Sequence, residues 1–190
     1  MTDRTSITRR QLGALLGVTL AAGARAADLW SALRDADHFA LIRHALAPGT
    51  LDPPGWRIGD CATQRNLSAE GRAQATRMGE LFRVNGVRAA RIHSSQFCRC
   101  LDTAALLGLG AVLPQPLLNS FAEDRGGSGP QVEALRAWIV QQDLDGPTLL
   151  VTHQVVISAL SGASAGSGEI VVMRREADGR LTLKGRQPTA

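Results

Sequence analysis

The chain has no tyrosine, and its 190 residues include only seven aromatics, four Phe and three Trp. A surface that grips single-stranded nucleic acid interleaves aromatic platforms with basic side chains, and no stretch here supplies that interleaving. An excess of one charge is also missing. The formal net charge is +4, but of the 21 Lys and Arg four (Arg4, Arg9, Arg10 and Arg25), and of the 17 Asp and Glu one (Asp3), fall in residues 1–26. The remainder holds 17 against 16, a net charge of +1, so no nucleic-acid footprint is expected. No low-complexity run suggests disorder, and no apolar run reaches the roughly 20 residues of a stable membrane anchor. Cysteine is scarce. Cys61, Cys98 and Cys100 have the wrong number and spacing for a four-ligand zinc site or a dense disulfide scaffold. They allow one disulfide, Cys61 with Cys98 or with Cys100, or three buried free thiols.

Hydrophobic residues at 44% and charged residues at 20% are ordinary for a globular protein, and the length suits one domain with a sizeable core. The first segment is different in kind. Thr8-Arg9-Arg10-Gln11-Leu12 sets paired arginines ahead of a modest Gly- and Ala-rich apolar run, Leu12 to Ala24, which closes in Ala24-Arg25-Ala26. This resembles a twin-arginine signal peptide. Gly13, Gly17 and Gly23 weaken the alternative of an amphipathic first helix. The expectation is export by the twin-arginine machinery, cleavage after Ala26, and a periplasmic domain over residues 27–190.

Within that domain, Phe39-Ala-Leu-Ile42, Ala90-Arg-Ile-His93 and Thr148-Leu-Leu-Val-Thr152 are short apolar runs, each followed by polar residues and then a helical pattern. Such alternation predicts an α/β layered domain. Ser68 as N-cap, an apolar stripe at Ala75, Met78, Leu81 and Phe82, and Asn85-Gly86 as a stop predict a helix from about Ser68 to Val84. A second is expected from near Pro130, with Val132, Leu135, Trp138 and Ile139 on one face. Ile170–Met173 and Leu181–Leu183 flank Asp178-Gly179 as a terminal hairpin, which makes the sheet mixed.

The first strand stops abruptly at Arg43-His44, the second ends in Ser94-Ser95 with Arg99 just inside the next helix, and the third ends at Thr152-His153. Ligands bind at that edge of an open α/β sheet. Two arginines and two histidines near helix N-termini make a pocket for a dianion, because guanidinium forks match phosphate oxygens and helix starts favour negative charge. Arg65, in the run after Cys61, either lines the mouth of this pocket or lies on the surface. His38 and His93 read as strand-margin residues, and Trp30, Trp56 and Trp138 as packing residues.

Arg43-His44 after a hydrophobic strand, Ser94-Ser95 with Arg99 and Thr103-Ala104 downstream, and a late Val151-Thr152-His153 together resemble the histidine phosphatase superfamily, over most of residues 39–162. More narrowly they resemble its small, capless, periplasmic branch. Ala45 stands where the family pattern usually has Gly. The resemblance implies a three-layer αβα sandwich around a mostly parallel mixed sheet, like that of phosphoglycerate mutase. It implies a phosphatase that uses neither metal nor cofactor, in which His44 attacks phosphorus and becomes a phosphohistidine. Arg43, Arg99 and His153 would hold the phosphoryl oxygens, with Arg65 and Thr152 as further binding candidates. The proton donor to the leaving oxygen is sought in Asn119–Arg125, where Asp124 is preferred over its neighbour Glu123, with Glu169 as a third candidate. The expected partner is a small phosphorylated substrate or a phosphoprotein. A phosphomutase is disfavoured because Leu109 to Pro130 is too short for a cap, and a non-catalytic phosphate-ester binding module is the alternative from a different class.

Overall fold

The computed structural model describes residues 29–123 and 128–189, so the segment expected to be a signal peptide and Asp124 lie outside it. The strands are β1 (His38–Arg43), β2 (Arg91–Ser94), β3 (Val112–Pro114), β4 (Thr148–Thr152), β5 (Ile170–Arg175) and β6 (Leu181–Gln187). The helices are α1 (Ala69–Val84), α2 (Cys98–Leu107), α3 (Ser128–Val140) and α4 (Gln154–Ser161). One sheet runs in the order β3-β2-β4-β1-β5-β6. The first four strands are mutually parallel, and β5 and β6 are antiparallel additions.

Strand β1 lies between β4 and β5 and is covered on both faces, which is why its sequence is an unbroken apolar run rather than an alternation. Successive side chains point to opposite faces. Ala40 and Ile42 enter one core with Ile92, Leu149, Val151, Met78, Phe82 and Leu107. Phe39 and Leu41 enter the other with Leu150, Val171, Leu135, Ile139, Val156 and Ile157. Helices α1 and α2 therefore cover one face and α3 and α4 the other, the three-layer arrangement the sequence implies.

Ser68 caps α1 as expected, its Oγ accepting from Gly71 N at 3.0 Å. Gly71 has a further duty, since a Cβ there would sit 2.0 Å from the carbonyl oxygen of Leu46. Only glycine lets α1 lie directly on the loop that follows β1. Helix α3 is described from Ser128, near the expected start at Pro130, and one element differs from expectation. Strand β3 was not foreseen: three partly exposed residues ending in proline carry no alternation, and a proline is tolerated there because β3 is an edge strand. Among the described residues no helix is long and apolar enough to cross a membrane.

Candidate active site

Parallel pairing places Arg43 opposite Thr152 and Ser94 opposite Val151, so three strands end in step. The ladder continues one residue further, with His44 N donating to Thr152 O at 3.0 Å and Ser95 N to Val151 O at 2.9 Å. His44 and His153 thereby lie edge to face, ring centroids 5.4 Å apart. Phe97 precedes α2 and His153 precedes α4, so both helices start at this edge, and Arg99 is the second residue of α2. A cavity of about 250 Å3 opens there, lined by Arg43, His44, Arg65, Arg99 and His153, with Asp52, Trp56, Phe97 and Glu123 among its walls.

Both histidines are buried, 3% and 4% exposed. Burial, reinforced by the charges of Arg99, Arg65 and Arg43 and opposed by a bond to Ala45, holds the His44 pKa down at about 3. The ring is therefore neutral at pH 7. His44 Nδ1 meets the Ala45 carbonyl at 2.8 Å, and a carbonyl only accepts, so Nδ1 carries the proton and Nε2 keeps its lone pair. The Ala45 methyl is accommodated: the residue is buried with Ala47, Leu67 and Ala75, and its N–H donates to Thr103 Oγ1 at 3.0 Å. Burial, together with His44 and the arginines, also puts the His153 pKa well below the ordinary histidine range. Ser95 donates to Asn119 Oδ1 at 3.0 Å, so its oxygen is free to accept from His153 Nε2–H at 2.8 Å.

The arginines share one pattern. Each is tethered through Nη1: Arg43 to Ala165 O, Arg65 to Ala47 O, and Arg99 to Asp52 Oδ1. In all three, Nε is buried with no hydrogen-bond partner, and among the described residues no acceptor meets Nη2. Arg99 is 3% exposed and its guanidinium lies 4.5 Å from the Phe97 ring centroid. Buried donors without partners are costly, and three cationic ones around one cavity ask for an anion.

Arg43, His44, Arg65, Arg99, His153 and Glu123 thus come together, Glu123 accepting from Trp56 Nε1 at 2.8 Å on the cavity wall. Thr152 stands apart. It is fully buried, its hydroxyl donates to Leu118 O at 2.6 Å, and only its backbone reaches the site, through the bond from His44. Glu169 also faces elsewhere, its carboxylate bound by Arg186 and by Gly166 N. His38 and His93 have structural settings, the latter against Trp138 with centroids 4.9 Å apart. Trp56 packs on Phe97 as a packing residue would, but it also walls the cavity. Asp52 was missed. It sits in Leu51-Asp52-Pro53-Pro54-Gly55, where nothing local separates it from an ordinary turn acid. Cys61 and Cys98 form a disulfide that ties this long loop to α2, and Cys100 is a buried free thiol pushed up to about 12 by its burial. Among the described residues no three His, Cys, Asp or Glu side chains are grouped as a metal site requires.

The family model described as "Histidine phosphatase superfamily (branch 1)" matches residues 39–128, which run from β1 to the start of α3 and include Arg43, His44 and Arg99. Over this stretch, a little under half of the chain, the protein is similar to the histidine phosphatase superfamily. Solved structures match over a larger share of the chain. The protein histidine phosphatase SixA complexed with tungstate is 17% identical, with a TM-score of 0.57, covering 80% of this chain and 97% of that one. The mycobacterial glucosyl-3-phosphoglycerate phosphatase complexed with VO3 is 17% identical, with a TM-score of 0.57, covering 78% and 97%. A protein of Escherichia coli K-12 assigned as an alpha-ribazole-5'-P phosphatase is 20% identical, with a TM-score of 0.59, covering 82% and 98%. No curated protein sequence matches.

Proposed function

We propose that this protein is a phosphatase that hydrolyses phosphomonoesters or phosphohistidine through a phosphohistidine intermediate on His44. One observation carries the reading. Three arginines, each tethered at Nη1 and each with Nε unpartnered, surround a cavity into which a neutral histidine with a free Nε2 also opens. Such a site binds a tetrahedral dianion and supplies a nucleophile in the right protonation state without a separate base. Two similar structures are complexes with oxyanions, tungstate and VO3.

In the proposed sequence His44 Nε2 attacks phosphorus in line. The bond from phosphorus to the leaving oxygen breaks, and that oxygen takes a proton from Glu123. Water then attacks the phosphorus of phosphohistidine, Glu123 accepts its proton, and cleavage of the P–N bond returns neutral His44 and inorganic phosphate. Arg43, Arg65 and Arg99 stabilise charge on the non-bridging oxygens, and His153 joins them once the bound dianion has favoured its protonated form. Glu123 is given the acid role because its carboxylate reaches the cavity wall, whereas Glu169 is committed to Arg186.

The test is hydrolysis of an aryl phosphate in excess chelator with acid-quench detection of phosphoenzyme. Wild type is expected to turn over and to trap phosphate on His44. His44→Ala should lose activity by ~10^4-fold or more and trap none. Phosphate binding without turnover by wild type would instead mark a binding module.

The same reading includes export to the periplasm. The observation in its favour is the Cys61–Cys98 disulfide, because such bonds persist in oxidising compartments. Cell fractionation that found the uncleaved chain in the cytoplasm would remove it.

A further inference from the structure

Asp52 is the carboxylate that the arginine cavity draws inward, and nothing in the phosphoryl-transfer steps uses it. Its side chain is 4% exposed and faces Arg99, itself 3% exposed, at 2.9 Å. The same oxygen accepts from Arg65 N at 2.9 Å, and Arg99 Nη1 makes a longer contact to Arg65 O at 3.4 Å. Asp52 therefore joins the two arginines on which a phosphate would rest. Burying a charged pair costs desolvation on both sides, and replacing such a pair by apolar groups is often no loss to stability. A buried carboxylate in a site that must attract an anion also works against binding. Both costs call for a return in function.

Two returns follow from the geometry. By engaging Nη1, Asp52 fixes the plane of the Arg99 guanidinium from one edge while the Phe97 ring supports its face, so that the Nε and Nη2 edge is the one left over. An arginine so held loses less freedom when it closes on an oxyanion. The second return concerns charge. With His44 and His153 neutral, the cavity carries Arg43, Arg65 and Arg99 against the buried Asp52 and, at its exposed wall, Glu123. Inorganic phosphate, the product, is itself a polyanion, and a site with three uncompensated guanidinium groups would hold it as firmly as the transition state. Binding both equally well does not speed turnover.

We infer that Asp52 is a positioning residue that aims Arg99 at the phosphoryl group and offsets the positive charge of the cavity so that product phosphate is released. The inference rests on the phosphatase reading, and the experiment separates the two. Wild type, Asp52→Asn and Asp52→Ala are compared for turnover of an aryl phosphate, for inhibition by inorganic phosphate, and for the rise in Tm that inorganic phosphate produces. Asparagine keeps an acceptor for Arg99 and Arg65 N and removes only the charge. Asp52→Asn is expected to bind inorganic phosphate about tenfold more tightly, with a lower kcat and a larger phosphate-induced rise in Tm than wild type. Asp52→Ala loses the aim as well, and its KM should rise about tenfold or more. The Tm readout works even on a variant with no turnover. Phosphate binding that is unchanged or weaker in Asp52→Asn overturns the proposal for Asp52. A wild-type protein that neither turns over an aryl phosphate nor gains stability from inorganic phosphate overturns the phosphatase reading beneath it.

Discussion

Strands β3, β2, β4 and β1 run in one direction and end together, whereas β5 and β6 fold back as a hairpin beside them, and the two parts treat charge differently. Around the hairpin arginines find carboxylates: Arg174 with Glu176, Arg175 with Asp37, Arg180 with Asp178, and Arg186 with Glu169. At the parallel edge one arginine of three, Arg99, pairs with a carboxylate, Asp52, and Arg43 and Arg65 are held by carbonyl oxygens instead. Carbonyls fix a guanidinium in place without neutralising it. The hairpin thus spends its charges on itself, and the parallel edge keeps a surplus that only something from outside can satisfy. The proposed phosphate site rests on that surplus more than on the fold.

The sharpest way to break the contrast is to remove one cation from each part. Arg99→Ala is expected to lower kcat/KM for an aryl phosphate by ~10^2 to 10^3-fold, the cost of one well-placed donor to a developing oxyanion. Glu123→Gln should cost about 10^2-fold with a poor alkyl leaving group and much less with a good aryl one, and steady-state kinetics across leaving groups would read it. An equal loss for both leaving groups would move the acid role to another residue, with Asp124→Asn as the matched comparison.

A third prediction concerns acid. The folded pKa of His44 lies near 3, below the ordinary 6.5, so between those values the unfolded chain binds the proton and the folded one does not. Stability from this group is intact above about pH 6.5 and falls as pH drops from there toward 3, by about 2 kcal/mol at pH 5 for His44 alone. Denaturant melts at pH 7 and pH 5 would measure it, and His44→Asn should flatten the slope. The smallest effect belongs to the hairpin. Arg180→Ala removes an exposed pair with Asp178 and is expected to leave both Tm and turnover unchanged within error.

What could be read in the sequence follows the range of the interactions concerned. Strands β1, β2 and β4 and helix α1 announce themselves through local apolar runs, a cap and a glycine stop, and Arg43, His44, Arg99 and His153 stand at the ends of those local signals. Asp52 and Arg99 are 47 positions apart, and their pairing is decided by a loop without regular structure, so no local pattern announces it. The cysteines show the boundary between the two cases. Cys98 and Cys100 are two residues apart on α2, about 200° around its axis, so only one could face the loop that carries Cys61. Which one depends on how α2 sits on the sheet: Cys100 enters the core and Cys98 the bond. Arg65 was placed on neither side by the sequence and is a cavity residue because the same loop is tied down.

That tie has a consequence for the life of the molecule. Neither Cys61 nor Cys98 belongs to the two cores that flank the sheet, and the bond between them ties the cavity loop to the start of α2. The bond closes a ring across a separation of 37 residues, worth about 3–4 kcal/mol in restricting the loose chain, and Asp52's partner Arg65 lies inside that ring. The bond therefore fastens the loop that grips an anion rather than the sheet and its cores. Reduction is expected to loosen that grip, and titrating the oxidised and the reduced protein with inorganic phosphate would measure by how much.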